Sequence, residues 1–385
     1  MSMSSKKLSF LFLALTLASV GCTKKQAADA PAASDVIKVG EVGSMTGTEG
    51  TFGVSTHNGI ELAIKQINAK GGVKGKKLEL ISMDDQGKPE EAATAVTKLI
   101  TQNKVAAILG EVASSRSMAM APIAQQYQIP MISPSSTNPK VTELGDYIFR
   151  VCFIDPFQGT VMAKFAAENL KLKKVAILRD VKNDYSVGLA DYFAKKFKEM
   201  GGTIVADQAY SSGDTDFKTQ LTNIKGKGPE ALMVPGYYTE VGLIARQARE
   251  AGITVPLLGG DGWDSPKLAE IGGKSVEGSY FSNHYSQEDQ SAVVQTFVTE
   301  YKKAYNAVPD GLAAMGYDAA LVLADAMNRA PDLNSASVRT AIAQTVNFPG
   351  VTGTITINSD RNAVKPAVVL VVENGQYKDR TTITP

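Results

Sequence analysis

Short apolar segments alternate with longer amphipathic segments along most of the chain. The first pair is VIKVGEVGS, which begins at Val36, and HNGIELAIKQINAKGG, in which Ile60, Ala63, Ile64 and Ile67 fall on one helical face. This spacing predicts a helix, and the glycine pair that follows predicts its end. Strand-like segments that alternate with helix-like segments predict parallel β-sheets covered by helices on both faces.

The alternation continues through the rest of the chain. KLELISMDD precedes a helix that opens at Pro89, where a proline and two acidic residues favour a first turn. Further strand-like segments are KVAAILGE, IPMISPSS, KKVAILRD, TIVADQAY, PEALMVPGY and VPLLGGD. The similarity of KVAAILGE and KKVAILRD indicates two related α/β halves, with a break near residues 153–158. A late helix, GLAAMGYDAALVLADAMNRA, and a predicted hairpin that turns at Asn374 and Gly375 must pack back onto these halves.

The first 22 residues differ in composition from the rest. Two lysines, Lys6 and Lys7, precede the apolar run LSFLFLALTLASV, which is followed by Gly21 and Cys22. This pattern predicts a secretory signal peptide over residues 1–21. The run is too short for a bilayer-spanning helix of the mature protein, which needs about 20 residues.

The cysteine after this segment is a candidate lipidation site. The residues ASVGC resemble a bacterial lipobox, in which Cys22 is diacylated and becomes the mature N-terminus, although Ser19 stands where that signal usually has an aliphatic residue. Ordinary signal-peptidase cleavage after Ala30 is the alternative. Residues 22–35 are poor in large apolar side chains, which predicts a tether. Cys152 is the only other cysteine, so acylation of Cys22 excludes an intramolecular disulfide.

Composition and charge narrow the function classes. The chain has 385 residues, of which 44% are hydrophobic, and its net charge is +1. This length suggests about two domains with ample apolar cores. Because no block of five like charges occurs, nothing in the sequence favours a nucleic-acid or membrane-coating surface. A small ligand is the better prediction.

Polar residues collect where the predicted strands end, which is the edge where open parallel sheets bind ligands. Two hydroxyl clusters, in VAAILGEVASSRS and PMISPSSTNP, each follow an apolar strand. Free N–H groups at helix starts and neighbouring hydroxyls suit a carboxylate, whereas acidic and phenolic oxygens suit an ammonium group. The candidate carboxylate ligands are Ser114, Ser115, Ser135, Ser136 and Thr137, the candidate ammonium ligands are Asp261, Tyr185 and Tyr237, and Phe52 and Trp263 are expected to form an apolar wall.

Each of these residues also has an ordinary structural role open to it. A serine before a helix is commonly an N-cap, Asp261 can be a turn residue, and Tyr237 can be a half-buried core aromatic. A buried zwitterion needs both of its charges paired, and these loops supply both kinds of partner. The set as a whole therefore favours a small-molecule site.

Sequence patterns typical of enzymes and metal sites are missing. The two histidines, His57 and His284, have no sequence neighbours that suggest a catalytic triad, and no nucleotide-binding, HExxH or GxSxG motif occurs. GGVKGKK follows a helix and predicts a turn. Asp84 and Asp85, in MDDQGKPEE, are assigned to capping and solvation. We therefore expect no catalytic residue, no metal and no cofactor.

From Val36 to the C-terminus the sequence resembles the periplasmic branched-chain amino-acid (Leu/Ile/Val) binding proteins of ABC importers. The resemblance covers nearly all of the mature chain. The segments that carry it, in family order, are IKVGEVGSMTGTEGTFG, GIELAIKQINAKGGVKGKKLELISMDDQGKPEEA, ILGEVASSRS, PMISPSSTNP, DYSVGLA, GYYTEVGLIARQAREAG and GGDGWDSPKL.

The resemblance implies a fold and roles for site residues. The fold is the type I periplasmic binding protein fold, with two Rossmann-like α/β lobes that have parallel central sheets and a three-strand hinge. The expected bounds are 36–155 with 285–358 for the first lobe and 156–284 with 359–385 for the second. By motif position, Ser114, Ser135 and Thr137 are implied to bind a carboxylate, Phe52 to cover the first lobe, Tyr185 and Tyr237 to stack on the ligand and bind its ammonium group, and Asp261 to accept from that group.

Two departures from the family bear on specificity. Leu/Ile/Val members have glutamate where this chain has Asp261, and Trp263 adds bulk close by. Their small first-lobe disulfide is absent, because Gly87 and Ala113 stand at the matching positions. These differences leave the amino and carboxylate partners in place and bear on the preference for the ligand's side chain.

The function that the resemblance implies is that of a monomeric, lipid-anchored solute-binding receptor in the periplasm or at the cell surface. It would bind a neutral, aliphatic amino acid by hinge closure and deliver it to an ABC permease in the inner membrane, with no role for nucleic acid. A sensor for amides or other small carboxylates that reports to a signalling partner is the alternative. An exported enzyme that acts on a small polar substrate is a further one.

Overall fold

Two open sheets, each surrounded by helices, organise the computed structural model, which describes residues 36–385. The predicted signal peptide, the tether and Cys22 lie outside the described residues. Within residues 36–385, no helix is both long enough and apolar enough to cross a membrane.

The first sheet has five parallel strands. Its strands and helices are β1 (Val36–Gly43), α1 (Gly50–Ala69), β2 (Lys77–Asp84), α2 (Pro89–Lys98), β3 (Ala107–Leu109), α3 (Ser114–Gln126), β4 (Met131–Ser133), α4 (Lys140–Glu143) and β5 (Ile148–Arg150). The strand order is β2-β1-β3-β4-β5. Strands β3 and β4 are short and fully buried, as expected for central strands of a sheet with both faces covered.

The second sheet begins after the chain leaves β5. Its elements are α5 (Asp155–Lys164), β6 (Lys174–Asp180), α6 (Asp184–Glu199), β7 (Thr203–Tyr210), α7 (Lys218–Lys225), β8 (Ala231–Met233), α8 (Tyr238–Glu250), β9 (Leu257–Gly259), α9 (Pro266–Gly272) and β10 (Tyr280–Asn283). These five strands are parallel, in the order β10-β9-β8-β6-β7.

The C-terminal segment returns to both sheets. Its elements are α10 (Ala292–Tyr305), α11 (Gly311–Arg329), α12 (Ser335–Ala343), β11 (Phe348–Gly350), β12 (Gly353–Ile357), β13 (Ala363–Val364), β14 (Ala367–Glu373) and β15 (Gln376–Ile383). Helices α11 and α12 and the small sheet β11-β12-β13 share a core with the first sheet. Strand β14 instead pairs antiparallel with β10, and β15 adds the outer edge. The predicted hairpin is present, and Asn374 and Gly375 both have the positive φ of a two-residue turn.

We define the first lobe as β1–β5, α1–α4, α10–α12 and β11–β13, and the second lobe as α5–α9, β6–β10, β14 and β15. The chain passes between the lobes three times, at residues 151–154, 284–291 and 365–366. The boundary predicted after residue 358 falls inside the small sheet, because β13 pairs with β12.

Close packing of α1 against α11 fixes the C-terminal segment on the first lobe. A side chain at Gly59 would place its Cβ 2.0 Å from the carbonyl oxygen of Ala313, so only glycine fits there. The pair joins parts of the chain that lie far apart in sequence. It also holds the start of α1, where Phe52 is buried.

His57 and Glu41 form a partly buried polar pair in the first lobe. His57 Nδ1 lies 2.7 Å from Glu41 Oε2, which also accepts from Ser82 Oγ. The hydrogen bond with Glu41 raises the pKa of His57 above its ordinary value of 6.5. Protonated His57 therefore stabilises the fold fully below about pH 6.5, and this contribution is lost as the pH rises through the raised pKa.

We predict that His57→Gln lowers the free energy of unfolding more at about pH 5.5 than at about pH 9. Urea unfolding of the two proteins at both pH values measures this difference. Lys70→Gln, which changes an exposed cation at the end of the same helix, should show no such pH dependence. Equal effects of His57→Gln at the two pH values would contradict the prediction.

Candidate ligand-binding site

A narrow cavity lies between the lobes, beyond the carboxyl ends of strands from both sheets. Its volume is about 20 Å³, which is room for about one water molecule. Seven of the ten ligand residues predicted from the sequence line it, namely Phe52, Ser114, Ser135, Thr137, Tyr185, Tyr237 and Asp261; Val112, Gly262 and Leu312 complete the lining.

The first-lobe wall of this cavity consists of hydroxyl groups and the start of α3. The N-cap residue of α3 is Ala113, which has no side chain to accept from the first N–H groups. Ser114 is therefore not an N-cap, and its Oγ accepts from the N–H of Asn138 at 3.1 Å. Thr137 Oγ1 is buried without a hydrogen-bond partner among the described residues. The N–H groups and hydroxyls of this wall are the donors that a carboxylate needs.

Asp261 is the acidic group of the second-lobe wall. Gln158 Nε2 donates to its Oδ1 at 2.7 Å, and His284 Nε2 lies 3.0 Å from its Oδ2. Burial lowers the pKa of His284 below its ordinary value of 6.5, so the neutral imidazole donates Nε2–H at pH 7. Both oxygens are thus held by neutral donors. The charge of Asp261 remains available to a cationic ligand group.

Asp155 is a second acidic group, buried at the first crossing of the chain between the lobes. Its N–H donates to the backbone oxygen of Thr137 at 2.9 Å, and its carboxyl group forms no ion pair within residues 36–385. Burial raises the pKa of Asp155 to about 8, and the nearby charge of Asp261 acts in the same direction. The group is therefore mainly neutral at pH 7, and it leaves Asp261 as the charged acceptor.

Three aromatic rings cover the cavity. Phe52 lies edge-on to Tyr237, with 5.4 Å between ring centroids, and Tyr185 stacks on Tyr237 at the same distance. The hydroxyl of Tyr185 accepts from the N–H of Gly262 at 3.1 Å. Phe52 belongs to the first lobe and the tyrosines to the second. The aromatic cover is therefore complete only when the lobes meet.

Two of the predicted carboxylate ligands, Ser115 and Ser136, do not line the cavity. Ser115 follows Ser114 by one residue on a helix, so its side chain leaves another face, and its Oγ donates to Asp184 Oδ2 at 2.9 Å. The Oγ of Ser136 donates to the backbone oxygen of Val112 at 2.9 Å. Protein groups thus occupy both hydroxyls.

Trp263 also lies away from the cavity, where the sequence predicted part of an apolar wall. It is completely buried, and its indole N–H donates to the backbone oxygen of Val234 at 3.0 Å. The ring packs against Phe281 and beneath Gly259, where any side chain would overlap it. Trp263 therefore packs under the loop that begins at Asp261, on the side away from the cavity. Val112 and Leu312 supply the aliphatic lining in its place.

A buried cluster of charges lies under the first-lobe wall. Arg116 Nε lies 3.1 Å from Glu111 Oε2, and Arg116 Nη1 lies 2.8 Å from Glu49 Oε2. Asp85 is fully buried beside them, so its assignment to solvation was wrong. Burial and the charge of Glu111 raise the pKa of Asp85 to about 7. The cluster ties the start of α3 to α1 and to the loop after β2.

Hydrogen bonds join the lobes directly near the cavity. Thr51 Oγ1 lies 2.9 Å from Ser265 Oγ, and Thr239 Oγ1 donates to the backbone oxygen of Thr48 at 2.7 Å. The contact between Ser115 and Asp184 adds a third link. A molecule of amino-acid size can enter the cavity only when such contacts break and the lobes separate.

Comparison with known proteins agrees with this architecture. A sequence profile of the periplasmic binding protein family matches residues 36–376. The leucine-binding protein LivK of Thermotoga maritima is 43% identical, with a TM-score of 0.87, and the alignment covers 91% of this chain and 99% of that one. LivJ of Streptococcus pneumoniae, a branched-chain amino-acid transporter substrate-binding protein solved with isoleucine, is 36% identical, with a TM-score of 0.86 and coverage of 91% and 100%. A leucine-, isoleucine-, valine-, threonine- and alanine-binding protein of Pseudomonas aeruginosa is 31% identical over 355 residues, which is 91% of each chain.

Fold and site together define a two-lobed binding protein with its cavity between the lobes. The chain belongs to the periplasmic binding protein family. The resemblance inferred from the sequence motifs is thereby confirmed, as is the α/β fold with parallel-sheet lobes that type I members share.

Sequence reasoning missed the residues that hold Asp261. Gln158 lies 103 positions and His284 23 positions from it, and neither forms a recognisable motif with it. The parallel pairing of β10 with β9 brings His284 beside Asp261. Asp155 was also missed; its only sequence signal is an acidic residue in the segment FIDPFQG, where a break between the halves was predicted.

We predict that Arg116→Gln lowers the free energy of unfolding by about 3 kcal/mol or more, because it leaves buried carboxylates without their cation. Urea unfolding measures the loss. The matched control is Arg339→Gln, which removes a half-exposed partner of Asp146 and should cost no more than about 1 kcal/mol. Similar losses for the two variants would show that the buried ion pairs of Arg116 contribute no more to the free energy of unfolding than a half-exposed ion pair does.

Proposed function

We propose that this protein is the extracytoplasmic solute-binding receptor of an ABC importer and that it binds a neutral, branched-chain aliphatic amino acid between its lobes. The observation that carries the proposal is the opposition of two polar walls across one cavity. Hydroxyls and the start of α3 form one wall, and Asp261, whose two partners are neutral, forms the other. An α-amino acid carries the matching pair of charges on one carbon atom.

Each wall has a defined role in this proposal. Ser114, Ser135 and Thr137, with the N–H groups at the start of α3, bind the carboxylate, and the positive end of the helix dipole adds to the attraction. Asp261 accepts from the ammonium group, beside Tyr237. Removal of a charge from water is unfavourable unless the charge is paired, so this arrangement selects zwitterions over molecules that carry only one of the two charges.

The rest of the cavity suits an aliphatic side chain. Phe52, Val112 and Leu312 contribute apolar surface to its lining. The relatives support the same ligand class, since one is described as a leucine-binding protein and another was solved with isoleucine. Asp261 is shorter than the glutamate of the Leu/Ile/Val proteins, and titration with leucine, isoleucine and valine gives the order of preference among them.

Binding is coupled to a hinge motion in this proposal. The three crossings let the lobes separate to admit the ligand, and only the closed form brings both walls to the same molecule. The ligand therefore favours the closed form. An affinity in the micromolar range, about −8 kcal/mol, suits a receptor that must also release its ligand.

Location and partners form the finer part of the proposal. The segment ASVGC supports acylation of Cys22 and attachment of a monomeric receptor to the membrane from the periplasmic side. The partner that receives the amino acid is an ABC permease in the inner membrane. LivJ is described as a transporter component, which favours an importer over the sensor alternative.

Calorimetric titration tests the ligand class. Leucine, isoleucine or valine should bind saturably to the purified protein, and Asp261→Asn should weaken binding roughly 100-fold, because loss of a buried charge partner costs about 2–5 kcal/mol. Ser114→Ala should weaken it less, roughly tenfold, because one neutral hydrogen bond is lost.

The control for this titration is Asp325→Asn, which removes a surface carboxylate paired with Arg329 and should leave the affinity unchanged. Thermal unfolding of each variant reports whether the fold is intact. The proposal fails if no aliphatic amino acid binds, or if a folded Asp261→Asn variant binds as tightly as the wild type.

Membrane fractionation with labelled palmitate tests the lipid anchor. The wild type should sediment with membranes and incorporate the label, whereas Cys22→Ser should do neither. Cys152→Ser, which changes a buried thiol, is the control and should behave as the wild type. Unlabelled, soluble wild-type protein would instead favour cleavage after Ala30.

A further inference from the structure

A second cavity lies beside the crossing at residues 284–291. Its volume is about 150 Å³, and it shares no lining residue with the candidate ligand site. Engineered protein cavities of about 150 Å³ bind molecules as large as benzene. The second cavity is bounded by the loop after β9 and the β14–β15 hairpin on one side, and by the crossing and the start of α11 on the other. Both lobes therefore contribute to it.

Two carboxyl groups line the second cavity, that of Asp264, which is buried, and that of Asp310, which is half-buried. Asp264 Oδ2 accepts from Asn283 Nδ2 at 2.7 Å and from the N–H of Gly311 at 2.6 Å. Asp310 Oδ1 accepts from the N–H of Ala313 at 2.9 Å, and its Oδ2 accepts from Ser55 Oγ at 2.6 Å. Burial and the charge of Asp310 raise the pKa of Asp264 to about 7, and burial raises that of Asp310 to about 6.

The fold balances these charges only in part. Within residues 36–385 no cationic side chain forms an ion pair with Asp264 or Asp310. The start of α11, which Asp310 caps, supplies the partial charge of a helix N-terminus, about half of one elementary charge. Even when one of the two carboxyl groups is protonated, the charge of the other exceeds this partial charge, so the cavity is electrostatically suited to a cation.

Tyr285 gives an independent indication that the second cavity holds a ligand. Its side chain lines the cavity and the residue is 5% exposed, yet its hydroxyl oxygen is buried with no hydrogen-bond partner in the described part of the chain. Burial raises the pKa of this hydroxyl, and the charges of Asp264 and Asp310 act in the same direction. The hydroxyl therefore lies near both carboxyl groups. Buried polar atoms are ordinarily paired, and an occupant with N–H donors would supply the partner.

We propose that this second cavity is a binding site for a small organic ammonium ion with a short aliphatic body. The ammonium group lies between Asp264 and Asp310 and donates to the hydroxyl of Tyr285. The body packs on the apolar side of the cavity, against Val308 and Leu370.

An organic ammonium ion fits better than a metal ion. The described residues contain no group of three or more His, Cys, Asp or Glu side chains that could hold a metal. The aromatic rings of Tyr285 and Tyr377 in the lining also suit an organic cation. The inference is independent of the function proposed for the first cavity.

n-Butylammonium chloride is the probe for this site, and n-butanol is its neutral counterpart. In protein-observed NMR, butylammonium should shift the amide signals of Gly311 and Tyr285 saturably, and butanol should bind at least about tenfold more weakly, since it forms no charge-assisted hydrogen bond. Asp264→Asn should weaken butylammonium binding by about tenfold or more. Asparagine can keep both existing hydrogen bonds of Asp264, because one oxygen accepts them both.

A blocking variant keeps the test decisive if Asp264→Asn does not fold. Val308 is 53% exposed at the rim of the second cavity, so Val308→Trp should fill the space without disturbing the core and should abolish binding. Asp325→Asn, on the exposed side of α11, should bind as the wild type does. Absence of a saturable shift, equal affinity for butanol and butylammonium, or full binding by folded Val308→Trp would each overturn the proposal.

Discussion

A charge that is removed from water needs a partner, and this requirement organises most of the structure. Arg116 gathers three carboxylates under the first-lobe wall, and buried Lys365 lies beside Asp318 where the chain last crosses between the lobes. Several buried charged residues form no ion pair, and two of these exceptions are informative. Asp261 is held by two neutral donors, and Asp264 and Asp310 have no cation among the described residues. Both exceptions line cavities to which the two lobes contribute.

The crossings between the lobes also supply the support of the candidate site. The first crossing leads into α5, which carries Gln158, and the second begins at His284, whose ring stacks on Phe153 of the first at 3.7 Å. Gln158 and His284 are the two residues that hold Asp261. Movement of the lobes and orientation of Asp261 therefore depend on the same short segments. This arrangement gives a physical route by which closure and ligand binding affect each other.

Much of this structure follows from local sequence patterns. Apolar runs that end in polar loops predicted the strands and their carboxyl edge, because parallel strands end at one side of a sheet. Ser114 and Asp261 could be located in this way. The sequence could not show that Ser115, Ser136 and Trp263 lie outside the cavity lining, because the direction of each side chain depends on helix phase and loop geometry. The burial of Asp85 could not be predicted because its partner Arg116 lies on another element, α3. The partners of Asp261 lie on α5 and in the second crossing, far from it in sequence, and no local pattern joins them.

The position of Trp263 has a spectroscopic consequence. It is the only tryptophan of the chain, and it is sealed inside the second lobe against Phe281. Its emission therefore reports the entry of water into the second lobe and does not report unfolding of the first lobe. Far-ultraviolet circular dichroism averages over the helices of both lobes. Denaturation curves from the two signals coincide if the lobes unfold as one cooperative unit, and they separate if one lobe melts while the other stays folded.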